Sequence, residues 1–273
     1  MTELDKGEYI DVDGIRTFYI KGGSGHPLFL IHGASPGACS TVNWGPSIEG
    51  LAKSGFTVYA FDQVGFGNTD NPEDHSLEYR VTHAKSFINK LKLDRFHVIG
   101  NSQGAYIAAR IALEDRRVGG LVLVSSGTLA PQGSAESQAI SKEHGEKLRS
   151  YTPSVENART LTMGTLFNRE LVTEELVQQR YAMSTGKNYE AQLKRKEAPR
   201  PKPIHDELRN LKVKTLILWG GNDRGVTLER AILLFQIIPN ADLHIFAKCA
   251  HWVQWDQRLK FQRLVIDFLD SSI

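Results

Sequence analysis

Bare apolar runs alternate with stretches of helical period along the chain. Leu28-Phe29-Leu30-Ile31, Phe56 to Phe61, Phe96 to Gly100, Leu121 to Val124 and Lys214 to Trp219 lack the polar alternation of a half-exposed strand. Such runs suit strands of a parallel sheet covered on both faces. Near the start, Glu8 to Val12 and Arg16 to Ile20 flank Asp13-Gly14, which predicts a hairpin turn. Helical candidates lie at Glu78 to Leu93, Gly104 to Glu114, Leu228 to Ile238 and Gln257 to Leu269. Strand followed by helix, repeated, predicts an α/β fold with a mostly parallel central sheet and helices on both faces.

From about Pro131 to His205 the rhythm breaks. No clear β run occurs there, a helical candidate spans Leu166 to Met183, and Pro199-Arg200-Pro201-Lys202-Pro203 closes the segment. A structureless loop of that length is foreign to compact domains, so a helical insertion is expected. The expected organisation is a catalytic α/β core over 1–130 and 206–273 with a helical lid over 131–205. The insertion carries twelve Lys/Arg against nine Asp/Glu, enough to offer a cation to an acidic substrate.

Composition narrows the classes further. The 273 residues are 41% hydrophobic and 23% charged, inside the globular band, and the formal net charge of +2 gives no bulk drive toward nucleic acid or an anionic membrane. No apolar run approaches the ~18 residues of a membrane span. The start, Met-Thr-Glu-Leu-Asp, carries no secretory pattern, and two cysteines, Cys39 and Cys249, make no disulfide framework. A cytoplasmic protein is expected.

Chemistry enters at Gly100-Asn101-Ser102-Gln103-Gly104, which joins the run Phe96 to Ile99 to the helical stretch Ala105 to Glu114. This is G-x-S-x-G in its strand–turn–helix setting, where a sharp turn lifts the serine above the carboxyl ends of the strands. A serine hydroxyl needs a base, and the base needs an orienting group. Of nine histidines, His97 lies in a strand, and His26, His75 and His144 lie in polar surroundings and are expected to be exposed. His83, His205 and His244 have no turn facing the strand ends, and His32 reads as structural. His251, in Cys249-Ala250-His251-Trp252, follows the run Leu243 to Ala247 and precedes the last helix, on a loop at the right end of the sheet. Asp223, in Gly220-Gly221-Asn222-Asp223-Arg224, is the candidate acid. The chain order Ser102, Asp223, His251 is that of α/β-hydrolases.

An oxyanion hole needs backbone N–H donors where negative charge develops. Gln103, after the nucleophile, supplies one. The second is expected from Ala34 or Ser35 in His32-Gly33-Ala34-Ser35-Pro36-Gly37-Ala38, since Pro36 has no N–H.

These motifs make the chain similar to an α/β-hydrolase over nearly its whole length. More narrowly, it resembles the carbon–carbon hydrolases that cleave meta-ring-fission products in bacterial degradation of aromatic compounds. The narrower marks are His32 to Ala38 leading to Asn43-Trp44, then Gly100-Asn101-Ser102, Asn222-Asp223-Arg224 and Cys249-Ala250-His251-Trp252-Val253-Gln254-Trp255. The chain departs from the family pattern at Ala34-Ser35 and Ala250, where glycine is usual, and at Gln103, where a hydrophobic residue is often seen.

The resemblance implies that Asn43 and Asn101 hydrogen-bond substrate oxygens, that Arg180 binds the dienoate carboxylate, and that Trp252 flanks the substrate. Taken alone, Asn43 also reads as a helix cap. A planar guanidinium suits bidentate recognition of a carboxylate. The implied reaction is hydrolysis of a 2-hydroxy-6-oxohexa-2,4-dienoate, a small carboxylate, by a cofactor-free and metal-free Ser-His-Asp triad, in a homodimer. Ketonisation of the dienol provides the electron sink that carbon–carbon cleavage requires, with His251 as proton carrier.

The rival readings are a carboxylesterase of a small ester and, in another class, a small-molecule receptor on a hydrolase scaffold. Haloalkane dehalogenases and epoxide hydrolases carry Asp at the nucleophile position, and proline iminopeptidases usually carry Trp after the serine. A dinucleotide enzyme is disfavoured because Gly65-x-Gly67 lacks its third glycine, which would fall at Asp70. No metal-ligand spacing appears among the histidines and cysteines.

Overall fold

A computed structural model describes residues 7–271. Its sheet has eight strands: β1 (Glu8–Val12), β2 (Ile15–Gly22), β3 (His26–Ile31), β4 (Phe56–Phe61), β5 (Phe96–Asn101), β6 (Val118–Val124), β7 (Thr215–Gly220) and β8 (Ala241–Phe246). Their order is β1-β2-β4-β3-β5-β6-β7-β8. β2 pairs antiparallel with both neighbours, and every pairing from β4 to β8 is parallel. The first hairpin turns at Asp13 and Gly14, both at positive φ (53° and 84°), as an Asp-Gly two-residue turn requires.

The bare runs are explained by two cores, one on each face. Successive side chains of a strand point to opposite faces. Phe29 and Ile31 of β3 therefore join Phe61, Val98, Leu123 and Trp219 under α2 (Leu77–Lys90), α3 (Gln103–Glu114) and α9 (Leu228–Ile237). Leu28 and Leu30 join Val58, Ile99, Val122 and Leu218 under α1 (Ser40–Lys53) and α11 (Arg258–Asp270). The helix α10 (Val253–Asp256) precedes α11.

Periodicity does not indicate α1, because Gly45 and Pro46 fall inside it. Proline lacks the N–H that would bond the carbonyl four residues back. Here Trp255 Nε1 donates to that freed oxygen, Val42 O, at 3.1 Å.

Between β6 and β7 lie α4 (Ala135–Arg149), α5 (Val155–Thr165), α6 (Glu174–Ala182), α7 (Gly186–Glu197) and α8 (His205–Leu208). The single helix expected over Leu166 to Met183 is corrected to a short 3-10 turn, Arg169–Leu171, followed by α6. Side chains of Ser134, Ser154 and Thr173 cap α4, α5 and α6 by accepting from Ser137, Asn157 and Leu176 amides. Each cap satisfies an otherwise orphaned amide and starts a helix where the polar sequence shows little hydrophobic stripe. No helix among the described residues is long and apolar enough to cross a membrane.

Candidate active site

The turn between β5 and α3 fixes the serine. Ser102 stands at φ 57° and ψ −122°, a sparsely populated conformation for a residue with a side chain. A Cβ on Gly100 would lie 2.2 Å from Gly104 O, and one on Gly104 would lie 2.2 Å from Ile31 O. Only glycine fits at both places, so the motif is a packing requirement of this elbow. Ser102 N donates to Val124 O at 2.9 Å, and Ser126 Oγ donates to Ser102 O at 2.6 Å, holding the strained turn from the β6 side.

Asp223 leaves the loop after β7 and His251 the loop after β8. His251 Nδ1 donates to Asp223 Oδ2 at 2.7 Å, while Oδ1 accepts from the Gly225 and Val226 amides at 2.8 and 3.0 Å. Burial pushes the Asp223 carboxyl up. The His251 charge and hydrogen bond, with those two amides, outweigh that and hold it below the usual carboxylate range. With Nδ1 donating, Nε2 is the basic nitrogen of the neutral ring.

Ser102, Asp223 and His251 open on one cavity of about 820 Å³, which Ala34, Ser35, Asn101, Gln103 and Trp252 also line. Helices α4 and α5 contribute further lining residues, including His144, Lys142 and Leu161. Two candidates lie behind this surface. Asn43 is 1% exposed, sits within α1 rather than capping it, and donates through Nδ2 to Asn101 Oδ1 at 3.0 Å. Arg180 is fully buried; its Nη2 donates to Ser35 Oγ at 2.8 Å and its Nε to Pro36 O at 3.1 Å. Its guanidinium carbon stands 4.8 Å from the centre of the Trp252 ring. Desolvation lowers the Arg180 pKa to about 10, and among the described residues no carboxylate pairs with it.

Several site residues were not anticipated. His144, expected to be exposed, lines the cavity with its ring centre 6.5 Å from that of His251. His75, also expected to be exposed, is buried at 7% exposure, outside the residues that line the cavity. The Asp256 carboxylate accepts from the amides of Ala250, Phe167 and Asn168 at 2.8 to 3.1 Å, tying the histidine loop to the insertion. Arg230, 3% exposed, donates to the carbonyls of Gly127, Ala130 and Pro131 and so anchors the entry to α4. Their signal is tertiary: each acts on a segment remote in sequence. Among the described residues, no group of three or more His, Cys, Asp or Glu is arranged to hold a metal ion.

Comparison with known proteins matches residues 26–257 to the model of the alpha/beta hydrolase fold. A 2-hydroxy-6-oxononadienedioate/2-hydroxy-6-oxononatrienedioate hydrolase of Cupriavidus pinatubonensis is 32% identical, over 99% of this chain and 98% of its own. A 2-hydroxy-6-oxo-2,4-heptadienoate hydrolase of Pseudomonas putida is 33% identical, over 97% of each. The solved structure of a meta-cleavage product hydrolase from Pseudomonas fluorescens superposes with a TM-score of 0.88 at 32% identity, over 99% of this chain and all of the other. The chain belongs to the alpha/beta hydrolase fold family and, within it, to the meta-cleavage product hydrolases.

Proposed function

We propose that this enzyme hydrolyses the C5–C6 bond of a 2-hydroxy-6-oxohexa-2,4-dienoate during aromatic degradation, with Ser102, His251 and Asp223 as its triad. The observation that carries this reading is the His251–Asp223 pair sharing a cavity with the strained Ser102 and the Asn101 amide. His251 carries the proton of the 2-hydroxyl to C5, giving the 2,6-dioxo tautomer. Ser102 delivers the oxygen nucleophile to C6, and the oxyanion is received by the amides of Gln103 and of Ala34 or Ser35. The C5–C6 electrons then flow through C4, C3 and C2 onto the 2-oxo oxygen, which takes a proton. The products are 2-hydroxypenta-2,4-dienoate and, after water supplies the remaining oxygen, a carboxylic acid. The helices between β6 and β7 act as a lid, with Arg180 supporting recognition of the substrate carboxylate from behind Ser35.

The basic residues of the cavity lining favour a polar or anionic group on C6. Lys142, Arg149 and Arg200 line the cavity without ion pairs among the described residues, and Asp223 is its only acid. The relatives named for a dienedioate act on such a chain, those named for a heptadienoate on a short one. Loss of dienolate absorbance across substrates with carboxyethyl, methyl and phenyl at C6 tests this; a phenyl preference overturns the polar assignment.

The free, buried thiols Cys39 and Cys249 fit a reducing cytoplasm. For the homodimer, Ile232 and Phe235 of α9 and Ile245 of the edge strand β8 offer exposed apolar surface. Sedimentation equilibrium tests the dimer, and a monomer at working concentration overturns it.

A further inference from the structure

A chain of buried polar groups runs behind Ser102. Gln103 lines the cavity, and its Oε1 accepts from Arg80 Nη2 at 2.7 Å. Arg80, on α2, is 4% exposed, and its Nη1 makes a longer contact of 3.4 Å with Gln63 Oε1. Gln63 holds His32 twice: its backbone N–H donates to His32 Nε2 at 3.0 Å, and its side-chain amide donates to His32 O. His32 Nδ1 in turn donates to Gly33 O at 2.6 Å. One guanidinium therefore bridges the two segments that would supply the oxyanion amides, Gln103 and Ala34-Ser35.

The Phe66 ring centre lies 5.5 Å from the Arg80 guanidinium carbon, but one such ring contact does not balance a buried cation. Among the described residues no carboxylate is ion-paired with Arg80, and its Nε has no partner. Desolvation lowers its pKa to about 10, against a raising influence of Glu78. A buried charge without a counter-charge costs stability that a neutral side chain of similar volume would not. The charge is felt at the site's edge: after burial, which dominates, Arg80 is among the groups lowering His32 to about 3. Oxyanion donors act only if they are aligned before charge develops, and in a low-dielectric site a nearby cation adds to their field.

We propose that Arg80 is a positioning residue for the oxyanion hole, clamping Gln103 directly and the Gly33-to-Ser35 segment through Gln63 and His32. The inference rests on the Ser102 reading above.

Its test is a double-mutant cycle of Arg80→Met and Gln103→Met, with Arg80→Lys and Ser102→Ala alongside, on whichever substrate the wild type turns over best. Each single variant is expected to lower kcat about ten- to a hundredfold with KM within about twofold. The double variant should lose no more than the worse single, because both break one link. Arg80→Lys should recover part of kcat. Multiplicative losses, wild-type kcat, or a loss seen only in KM or Tm overturn the proposal. If Arg80→Met does not fold, Gln103→Met and Arg80→Lys decide: lowered kcat at unchanged KM supports it, and wild-type kcat in both overturns it. Retained turnover in Ser102→Ala overturns the Ser102 reading together with this one, whereas its loss with unaffected Arg80 and Gln103 variants overturns the clamp alone.

Discussion

Asn43 Nδ2 donates to Asn101 Oδ1 at 3.0 Å, joining α1 to the last residue of β5, next to Ser102. Both side chains are at most 1% exposed, and Asn101 Nδ2 also donates to Val124 O at 3.2 Å. The amide nearest the nucleophile is thus held from both sides before substrate arrives. Asn43→Ala should leave Asn101 without its donor, costing about 1–3 kcal/mol of stability. It should also reduce kcat on the dienoate more than tenfold. Urea unfolding and steady-state kinetics check the two effects separately; wild-type kcat contradicts the positioning role.

Asp223→Asn should keep the loop but reverse the hydrogen bond to His251, favouring the wrong ring tautomer. Turnover should fall by about 10⁴-fold, as for the equivalent change in a serine protease triad. The structure of the variant and its single-turnover rate test this; a loss under tenfold would remove Asp223 from the triad.

Arg180→Lys should raise KM for the dienoate about tenfold or more, with a smaller effect on kcat. Lysine cannot reproduce the fork that reaches both Ser35 Oγ and Pro36 O. Equal KM values for wild type and variant would make Arg180 a packing residue only.

His97 is buried in β5 with neither ring nitrogen bonded among the described residues, and its pKa is lowered to about 3, by burial first and then by His26 and Arg95. The unfolded state therefore binds a proton that the folded state refuses between about pH 6.5 and 3. Its contribution is intact above pH 6.5 and falls by about 1.4 kcal/mol for each unit of pH below it. His97→Phe should flatten the pH dependence of the urea midpoint between pH 7.5 and 5.5. An unchanged slope would show that His97 is not among the buried histidines, with His32 and His83, that refuse the proton.

Local signals sufficed for the strands, the elbow and the loops of Asp223 and His251. Leu28 to Ile31 reads as a covered strand because both of its faces meet apolar cores. Two cases escaped. The α1 helix carries Pro46, and its missing bond is replaced by Trp255, more than 200 residues away. His144 sits in α4, whose buried residues include only Ser137, so no hydrophobic stripe marked which face meets the cavity. The bridge from Arg80 to Gln103 and Gln63 joins three separate elements, a relation that spacing along a sequence does not encode.

The most direct measurement is kcat/KM of the purified enzyme on a 2-hydroxy-6-oxohexa-2,4-dienoate beside its value on p-nitrophenyl esters, repeated with Ser102→Ala. The dienoate should be preferred, with products equal in amount to the substrate lost. Ser102→Ala should lower that turnover by several orders of magnitude, about 10⁶-fold at most, while dienoate binding stays measurable. A preference for the simple esters, or undiminished dienoate cleavage by Ser102→Ala, would contradict the assignment.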